Sequence, residues 1–297
     1  MTAALFTFAD GTRQADGLAS ECGIPANQID VHRFPDGESL VRVHGTASTA
    51  LLFRSLDDPN TKLVEVLLAA SALRDGGAKR VILIAPYLAY MRQDMHFHDG
   101  EAVSQRVIGK LLAAWFDGIV TVDPHLHRIT SLDAIMDGMP AVVVSAAPAL
   151  VKAIASDLDR RTVLVGPDSE SRPWVESIAH PLGLEVLVGE KIRKGDREVV
   201  LAVPDIARVN GRPAILVDDV ISSGTTLIAC ARLLHEAGAT RIEAVATHSL
   251  ASGDDLDRLR DGGIARLRAT DSTSNAIAAI PLAGVLNEAI RKQGWLK

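Results

Sequence analysis

One string in this 297-residue sequence carries more chemistry than any other: Ile215-Leu216-Val217-Asp218-Asp219-Val220-Ile221-Ser222-Ser223-Gly224-Thr225-Thr226. An apolar run delivers two acids at its end. A turn of small hydroxyl residues and one glycine follows, and a helical pattern starts near Thr226. In open α/β sheets, ligands bind where the strands end. The backbone N–H groups of such a turn, with a helix N-terminus, form a concave anion site. Ser222, Ser223, Thr225 and Thr226 add hydroxyl donors, and Gly224 lets the backbone approach a phosphate closely. Asp218 and Asp219 cannot bind phosphate directly; they suit two sugar hydroxyls or a magnesium shell. A lone Asp-Asp would read as an ordinary turn with a Ser/Thr helix cap. The whole string reads as a phosphate site.

Other segments hold reactive types, each with a plainer reading beside it. Phe34-Pro35-Asp36-Gly37-Glu38 is a polar turn whose aromatic could stack on a base while its acids accept from an exocyclic amine; it is also an ordinary surface turn. Arg92 follows an apolar run at 81–85, where an arginine is a natural phosphate ligand or a plain surface residue. His125 and His127 in Val122-Asp123-Pro124-His125-Leu126-His127-Arg128 follow another strand and could equally face solvent. Gly189-Glu190-Lys191-Ile192-Arg193-Lys194-Gly195-Asp196-Arg197 is a charged, glycine-containing loop, or simply a solvated face. Asp168, in Gly166-Pro167-Asp168-Ser169-Glu170, ends one more strand.

These groups must be positioned by their elements. Short β-branched runs at 81–84, 119–122, 162–165 and 214–217 are nearly continuously apolar, as in a parallel sheet covered on both faces. Amphipathic stretches lie between them. One spans 61–74. Another spans 103–115, with Val103, Val107, Leu111 and Trp115 on one stripe. The alternation predicts an α/β fold with mainly parallel sheets. The chain also repeats itself: 51–86 aligns with 212–248 without a gap at an offset of 161, matching Asp57-Asp58 to Asp218-Asp219 and Gly77-Ala78-Lys79-Arg80 to Gly238-Ala239-Thr240-Arg241. Two similar domains in tandem are expected, 1–144 and 145–297. Pro140 and Pro148 mark the boundary. In the first copy Leu63 replaces Gly224 and Asn60-Thr61-Lys62 replaces the hydroxyl run, so that copy keeps the architecture and loses the anion cradle.

Composition sets the surroundings. The formal charge of −6 and the absence of a Lys/Arg excess argue for a small-molecule substrate and against nucleic acid. Cys22 and Cys230 read as reduced structural thiols. The N-terminus lacks the features of a signal peptide, and no apolar run approaches membrane-spanning length. The chain is expected to be cytoplasmic, with no membrane partner.

The string at 215–226 resembles the 5-phosphoribosyl 1-diphosphate loop of type I phosphoribosyltransferases and of ribose-phosphate pyrophosphokinases. That resemblance implies that Ser222, Ser223, Gly224, Thr225 and Thr226 hold the 5-phosphate and that Asp218 and Asp219 hold the ribose 2- and 3-hydroxyls. The common family loop reads Asp-Thr-Gly-Gly-Thr, so this chain lacks the acid at Ser222 and one glycine. The first half resembles the pyrophosphokinases in particular, because phosphoribosyltransferases have one such domain and no ATP site. By that resemblance Phe34, Asp36 and Glu38 read adenine, usually across a subunit interface, and Arg92 and Gln93 contact the nucleotide. His125 matches the family's magnesium-binding histidine. His127 is placed near the nucleotide phosphates, and His127-Arg128 look like the archaeal-type or a divergent bacterial branch.

Lys191 and Arg193 match the family's Lys-x-Arg in a mobile catalytic loop. Asp168 is implied as a partner of the metal and of the 1-hydroxyl. The family usually has Asp-Ala-Gly-Gly-Ala followed by Lys or Arg there, and Arg172 could supply that positive charge. The implied fold is two tandem phosphoribosyltransferase-type I domains. The implied activity is transfer of the diphosphoryl group of ATP to ribose 5-phosphate, with Mg2+ as cofactor, in a homo-oligomer built from dimers. Two rivals stand beside it. A phosphoribosyltransferase would release diphosphate without needing ATP, and the duplicated first half argues against it. A non-catalytic regulatory paralogue would tend to lose the loop cations, and Lys191 and Arg193 are retained.

Overall fold

The computed structural model describes residues 3–126, 129, 131–194 and 198–297, with 191–194 and 198–200 described by their backbone. Its contacts divide the chain into two compact units, one of Met1–Ser145 with Pro281–Lys297 and one of Ala146–Ile280.

The first unit is built on a seven-stranded sheet. Its strands are β1 (Ala3–Phe8), β2 (Ala26–Arg33), β3 (Ser39–Val43), β4 (Thr49–Phe53), β5 (Arg80–Ile84), β6 (Gly118–Val122) and β7 (Ala141–Val144), in the order β3-β2-β1-β4-β5-β6-β7. All neighbours are parallel except the edge hairpin of β2 and β3. β1, β4 and β6 are buried at every position, as a sheet covered on both faces requires. The helices of this unit are α1 (Thr12–Cys22), α2 (Pro59–Asp75) and α3 (Ser104–Trp115). The second unit starts with α4 (Ala147–Ala155). Its six-stranded, all-parallel sheet runs β15-β14-β13-β12-β8-β9, with β8 (Val163–Gly166), β9 (Glu185–Val188), β12 (Pro213–Ile221), β13 (Arg241–Ser249), β14 (Arg266–Thr270) and β15 (Ala278–Ile280). Its other helices are α5 (Arg172–Leu182), α6 (Thr225–Glu236) and α7 (Gly253–Asp261). A separate antiparallel ribbon pairs β10 (Glu190–Lys194) with β11 (Glu198–Ala202).

Three sequence expectations differ from what is observed. First, the last helix, α8 (Ala283–Lys292), groups with the first unit instead of closing the second. Arg291 Nη2 donates to the Cys22 carbonyl at 2.9 Å, and the buried Trp295 packs so tightly on Gly118 that a Cβ there would lie 2.7 Å from the indole. Second, the stripe of Val103, Val107, Leu111 and Trp115 is not the core face of α3. Gln105, Gly109 and Leu112 are buried, while Val107 is 58% exposed and Trp115 38%. The reason is Gly109: its missing side chain lets the Ile135 carbonyl approach to 2.5 Å from where a Cβ would sit, so the helix packs closely along a face that includes a position with no side chain.

Third, the internal repeat is real but not gapless. The helix ends match at an offset of 161: Gly77 N–H donates to Arg74 O at 2.9 Å, as Gly238 N–H does to His235 O at 3.0 Å. The preceding strands do not. Leu52 lies beside Leu83 and Leu216 beside Ala244, which sets β4 against β12 at an offset of 164. The first unit therefore holds three extra residues between strand and strand. They lengthen the start of α2, and they make Arg54 and Ser55, not Asp57 and Asp58, the counterparts of Asp218 and Asp219.

Candidate active site

β12 runs past the apolar core as far as Ile221, so Asp218 and Asp219 sit inside the strand and the hydroxyl turn starts directly after it. Asp219 is buried at 6% exposure, Asp218 is half-buried, and the Asp219 N–H donates to Asp218 Oδ1 at 3.0 Å. Burial pushes the Asp218 carboxyl up to about 8, with Asp219 and then Asp168 adding like-charge repulsion. Three carboxylates from two neighbouring strands thus feel one another at the carboxyl edge of the second sheet. Cys230 on α6 lies behind them. Burial first, then Asp218 and Asp168, push its thiol up to about 12, which leaves it an unreactive packing residue. Both cysteines are buried and unbridged.

The turn lies where the sequence places it, between the strand and the helix. Ser222 and Ser223 are exposed, Ser223 Oγ and Thr225 Oγ1 lie 3.3 Å apart, and α6 begins at Thr225. The N-cap is Gly224, and no side chain caps that helix end among the described residues. Its first N–H groups are therefore left for an anion. Gly224 has a further reason to be glycine. Its φ is +73°, and a Cβ would lie 2.5 Å from Leu259 of α7. No sequence signal pointed to Leu259, because the contact joins two separate helices.

Asp168 caps the turn after β8, its Oδ1 accepting from Glu170 N–H at 3.1 Å and Ser171 N–H at 3.3 Å. That fixes its orientation at the sheet edge. Arg172 is exposed and pairs with Glu176 at 3.2 Å across one turn of α5. β9 is held against β8 at Gly189, where a Cβ would meet the Pro167 carbonyl at 2.4 Å. The chain then enters the β10–β11 ribbon, so Lys191 and Arg193 lie on a strand and not in an open loop. Their backbones pair with Leu201 and Val199.

In the first unit, Phe34, Asp36 and Glu38 occupy the exposed tip of the β2–β3 hairpin. Phe34 N–H donates to Glu38 O at 2.8 Å, and Glu38 N–H to Asp36 Oδ1 at 3.1 Å. Phe34 is 40% exposed, with His32 edge-on to it at 4.7 Å. Arg92 is exposed in the irregular segment after β5, and Gln93 Nε2 donates to Glu101 Oε2 at 3.4 Å. Glu101 also accepts from Phe97 N–H at 2.8 Å and meets His98 at 2.8 Å; these bonds, His98 first, hold its carboxyl below the usual range. His125 is half-buried just past the end of β6. His127 and Arg128 lie outside the described residues.

The edge of the first sheet that corresponds to the phosphate loop is filled from within. Arg54, at the place of Asp218, is 5% exposed, lies over the Phe8 ring at 3.9 Å and pairs with the fully buried Glu65 at 2.6 Å. Lys62 Nζ contacts Asp57 at 2.9 Å and Asp10 at 3.4 Å and donates to the Ser55 carbonyl at 3.2 Å. Arg54 thus stands where the other unit has Asp218, with Lys62 beside it.

No group of three or more His, Cys, Asp or Glu side chains among the described residues is arranged to hold a metal. The oxygen donors Asp168, Asp218 and Asp219 nevertheless fit magnesium, which is commonly bound by one or two carboxylates together with waters and substrate phosphates.

Two mainly parallel sheets, one of which leads through two acids and a hydroxyl turn into a helix while the other lacks that turn, define a phosphoribosyltransferase-type protein. Family models agree. Residues 3–115 match the N-terminal domain of ribose phosphate pyrophosphokinase, and residues 143–261 match the phosphoribosyl transferase domain. The chain is 34% identical to a ribose-phosphate pyrophosphokinase of Methanopyrus kandleri over 95% of its own length and 96% of that protein. It is 33% identical to the one of Pyrococcus abyssi over 86% and 87%. Phosphoribosylpyrophosphate synthetase from Mycobacterium smegmatis superposes with a TM-score of 0.85, at 28% identity and 99% coverage of both chains. The chain belongs to the ribose-phosphate pyrophosphokinase family.

Proposed function

We propose that the protein transfers the β,γ-diphosphoryl group of ATP to the 1-hydroxyl of ribose 5-phosphate, giving 5-phospho-α-D-ribose 1-diphosphate and AMP. The observation that carries this reading is the uncapped α6 N-terminus and its hydroxyl turn beside Asp218 and Asp219, in a chain whose relatives are pyrophosphokinases. Ser222, Ser223, Gly224, Thr225 and Thr226 hold the 5-phosphate. Asp218 and Asp219 accept from the 2- and 3-hydroxyls. Sugar hydroxyl donors would stabilise the ionised form of Asp218 and so offset the burial and like charges that raise its carboxyl.

The 1-hydroxyl loses its proton to water as its oxygen forms the new bond to the β-phosphorus, and the bond from that phosphorus to the α-phosphate oxygen breaks, releasing AMP with the electron pair on its phosphate. The polyphosphate repels its nucleophile, so the reaction depends on positioning and on neutralising charge. Lys191 and Arg193 supply positive charge from the ribbon, and their closing over the substrate excludes water. Phe34, Asp36 and Glu38 read adenine. Arg92 and Gln93 contact the nucleotide, and His127 touches its phosphates. Asp168 of the second unit and His125 of the first are the residues assigned to metal binding, and Mg2+ would withdraw charge from the substrate's phosphate oxygens. The working protein is a homo-oligomer built from dimers, and it acts in the cytoplasm. Among the described residues no helix is long and apolar enough to cross a membrane.

The test is ³¹P NMR of the protein with ATP, Mg2+ and ribose 5-phosphate. AMP and a C1 diphosphate should appear together. Diphosphate release without ATP consumption, or no turnover, overturns the reading.

A further inference from the structure

The second unit has a concavity of about 530 Å³ at the amino end of its sheet. The acids and hydroxyl turn of the candidate active site lie at the other, carboxyl end of the same strands. Ile228, Ile242, Ala239 and Ala265 give it an apolar lining. Arg232 and Arg241 give it positive charge and His235 adds a ring nitrogen, opposed by Asp261 alone among the acids that line it. Arg241 also pairs with Glu243 at 2.8 Å. No ion-pair partner engages Arg232 among the described residues.

The internal repeat says what belongs there. In the first unit the same corner is closed by the chain itself. Arg74, the counterpart of His235, donates to Asp117 Oδ2 at 3.0 Å and to the Trp115 carbonyl at 3.0 Å. Asp117 Oδ2 also accepts the Val81 N–H at 2.7 Å. Arg80, the counterpart of Arg241, donates to the Lys297 carbonyl at 2.9 Å. The backbone bond that places Asp117, from its own N–H to Val81 O at 2.9 Å, recurs in the second unit as Ala265 N–H to Ile242 O at 2.8 Å. Ala265 therefore stands where Asp117 does. The second unit has kept one arginine, a basic ring and the strand N–H at this corner, and has no carboxylate where Asp117 stands in the first.

We propose that this concavity binds a small organic oxyanion, a carboxylate or phosphate on an apolar or planar body. The anion's oxygen takes the place of the missing Asp117 carboxylate, facing the Ile242 N–H, His235, Arg232 and Arg241. Its body lies on Ile228. The volume falls in the range of small-molecule pockets, which pair an apolar lining with a few polar anchors. The site is separate from the proposed transfer reaction. The inference rests on the duplication and not on the assignment of the active site.

The probe is 4-fluorophenyl phosphate, followed by ¹⁹F NMR on the full chain with ribose 5-phosphate in excess to occupy the phosphate loop. The wild type should bind it at millimolar concentration or below. Ala265→Asp rebuilds the internal carboxylate, and Arg232→Ala removes one anchor. Each should weaken binding about tenfold or more, the worth of one charge-assisted hydrogen bond, with diphosphoryl transfer unchanged. Absence of binding to the wild type overturns the proposal. So does binding that both variants retain, or that a variant of the phosphate loop abolishes. If Ala265→Asp does not fold, Arg232→Ala decides.

Discussion

Asp218→Asn should make the ligand-free second unit more stable, and increasingly so as pH rises. The Asp218 carboxyl titrates at about 8 in the folded chain against an ordinary 3.8. Between those values the folded state holds a proton that the unfolded state has released, so stability falls as pH rises. The slope is at most ~1.4 kcal/mol per pH unit. The gap of about four units sets a ceiling of ~6 kcal/mol. Asp218 keeps part of its surface, and solvent screening reduces the expected effect to ~2–3 kcal/mol. Asparagine keeps the shape without the charge. The gain over wild type should be small near pH 4, grow through pH 5 to 8, and level off above. Native-state hydrogen exchange of peptides from β12 and β13, read by mass spectrometry, isolates this unit from the other. The same variant should lose ribose 5-phosphate binding. A stability difference that stays flat from pH 4 to 9, or that favours wild type at high pH, would refute the like-charge account of this edge.

Lys191→Ala should reduce turnover by several orders of magnitude while ribose 5-phosphate binding, measured by calorimetry, stays near wild type; parallel loss of both contradicts the assigned role. Gly224→Ala should cost ~2 kcal/mol, because it strains a positive φ and drives a Cβ into Leu259, and Leu259→Ala should relieve part of that in a double-mutant cycle. Glu65→Gln should destabilise the first unit by ~3 kcal/mol, since it removes the charge shared by Arg54, Arg33 and Ser39 in a buried setting. Denaturant unfolding of the two units, followed by hydrogen exchange, locates that loss.

The elements that carry the site were legible because their signals are local. Ile215-Leu216-Val217 is apolar enough to mark a buried strand, and Gly224 after Ser222-Ser223 marks a turn into a helix. The duplication was legible as well, from Gly77-Ala78 and Gly238-Ala239, whose bonds at the two helix ends are the same. Its register was not. Asp57-Asp58 imitates Asp218-Asp219 in sequence, and only the hydrogen-bond ladder separates them by three residues. Tertiary facts were equally hidden. The buried face of α3 depends on Ile135 reaching Gly109, and Leu259 beneath Gly224 lies thirty-five positions away in sequence. The charged run at 189–197 read as a loop because alternating charge resembles a solvated face, yet Glu190–Lys194 within it pair with Glu198–Ala202 as a ribbon.

The packing of α8 bears on how the chain is made. A ribosome would release Met1–Ser145 long before the helix that seals it, and Trp295 reaches Gly118 only after the whole second unit has been synthesised. The unit begun first is therefore the last to be completed, and the sheet from β8 to β15 can settle while its predecessor still waits for a lid.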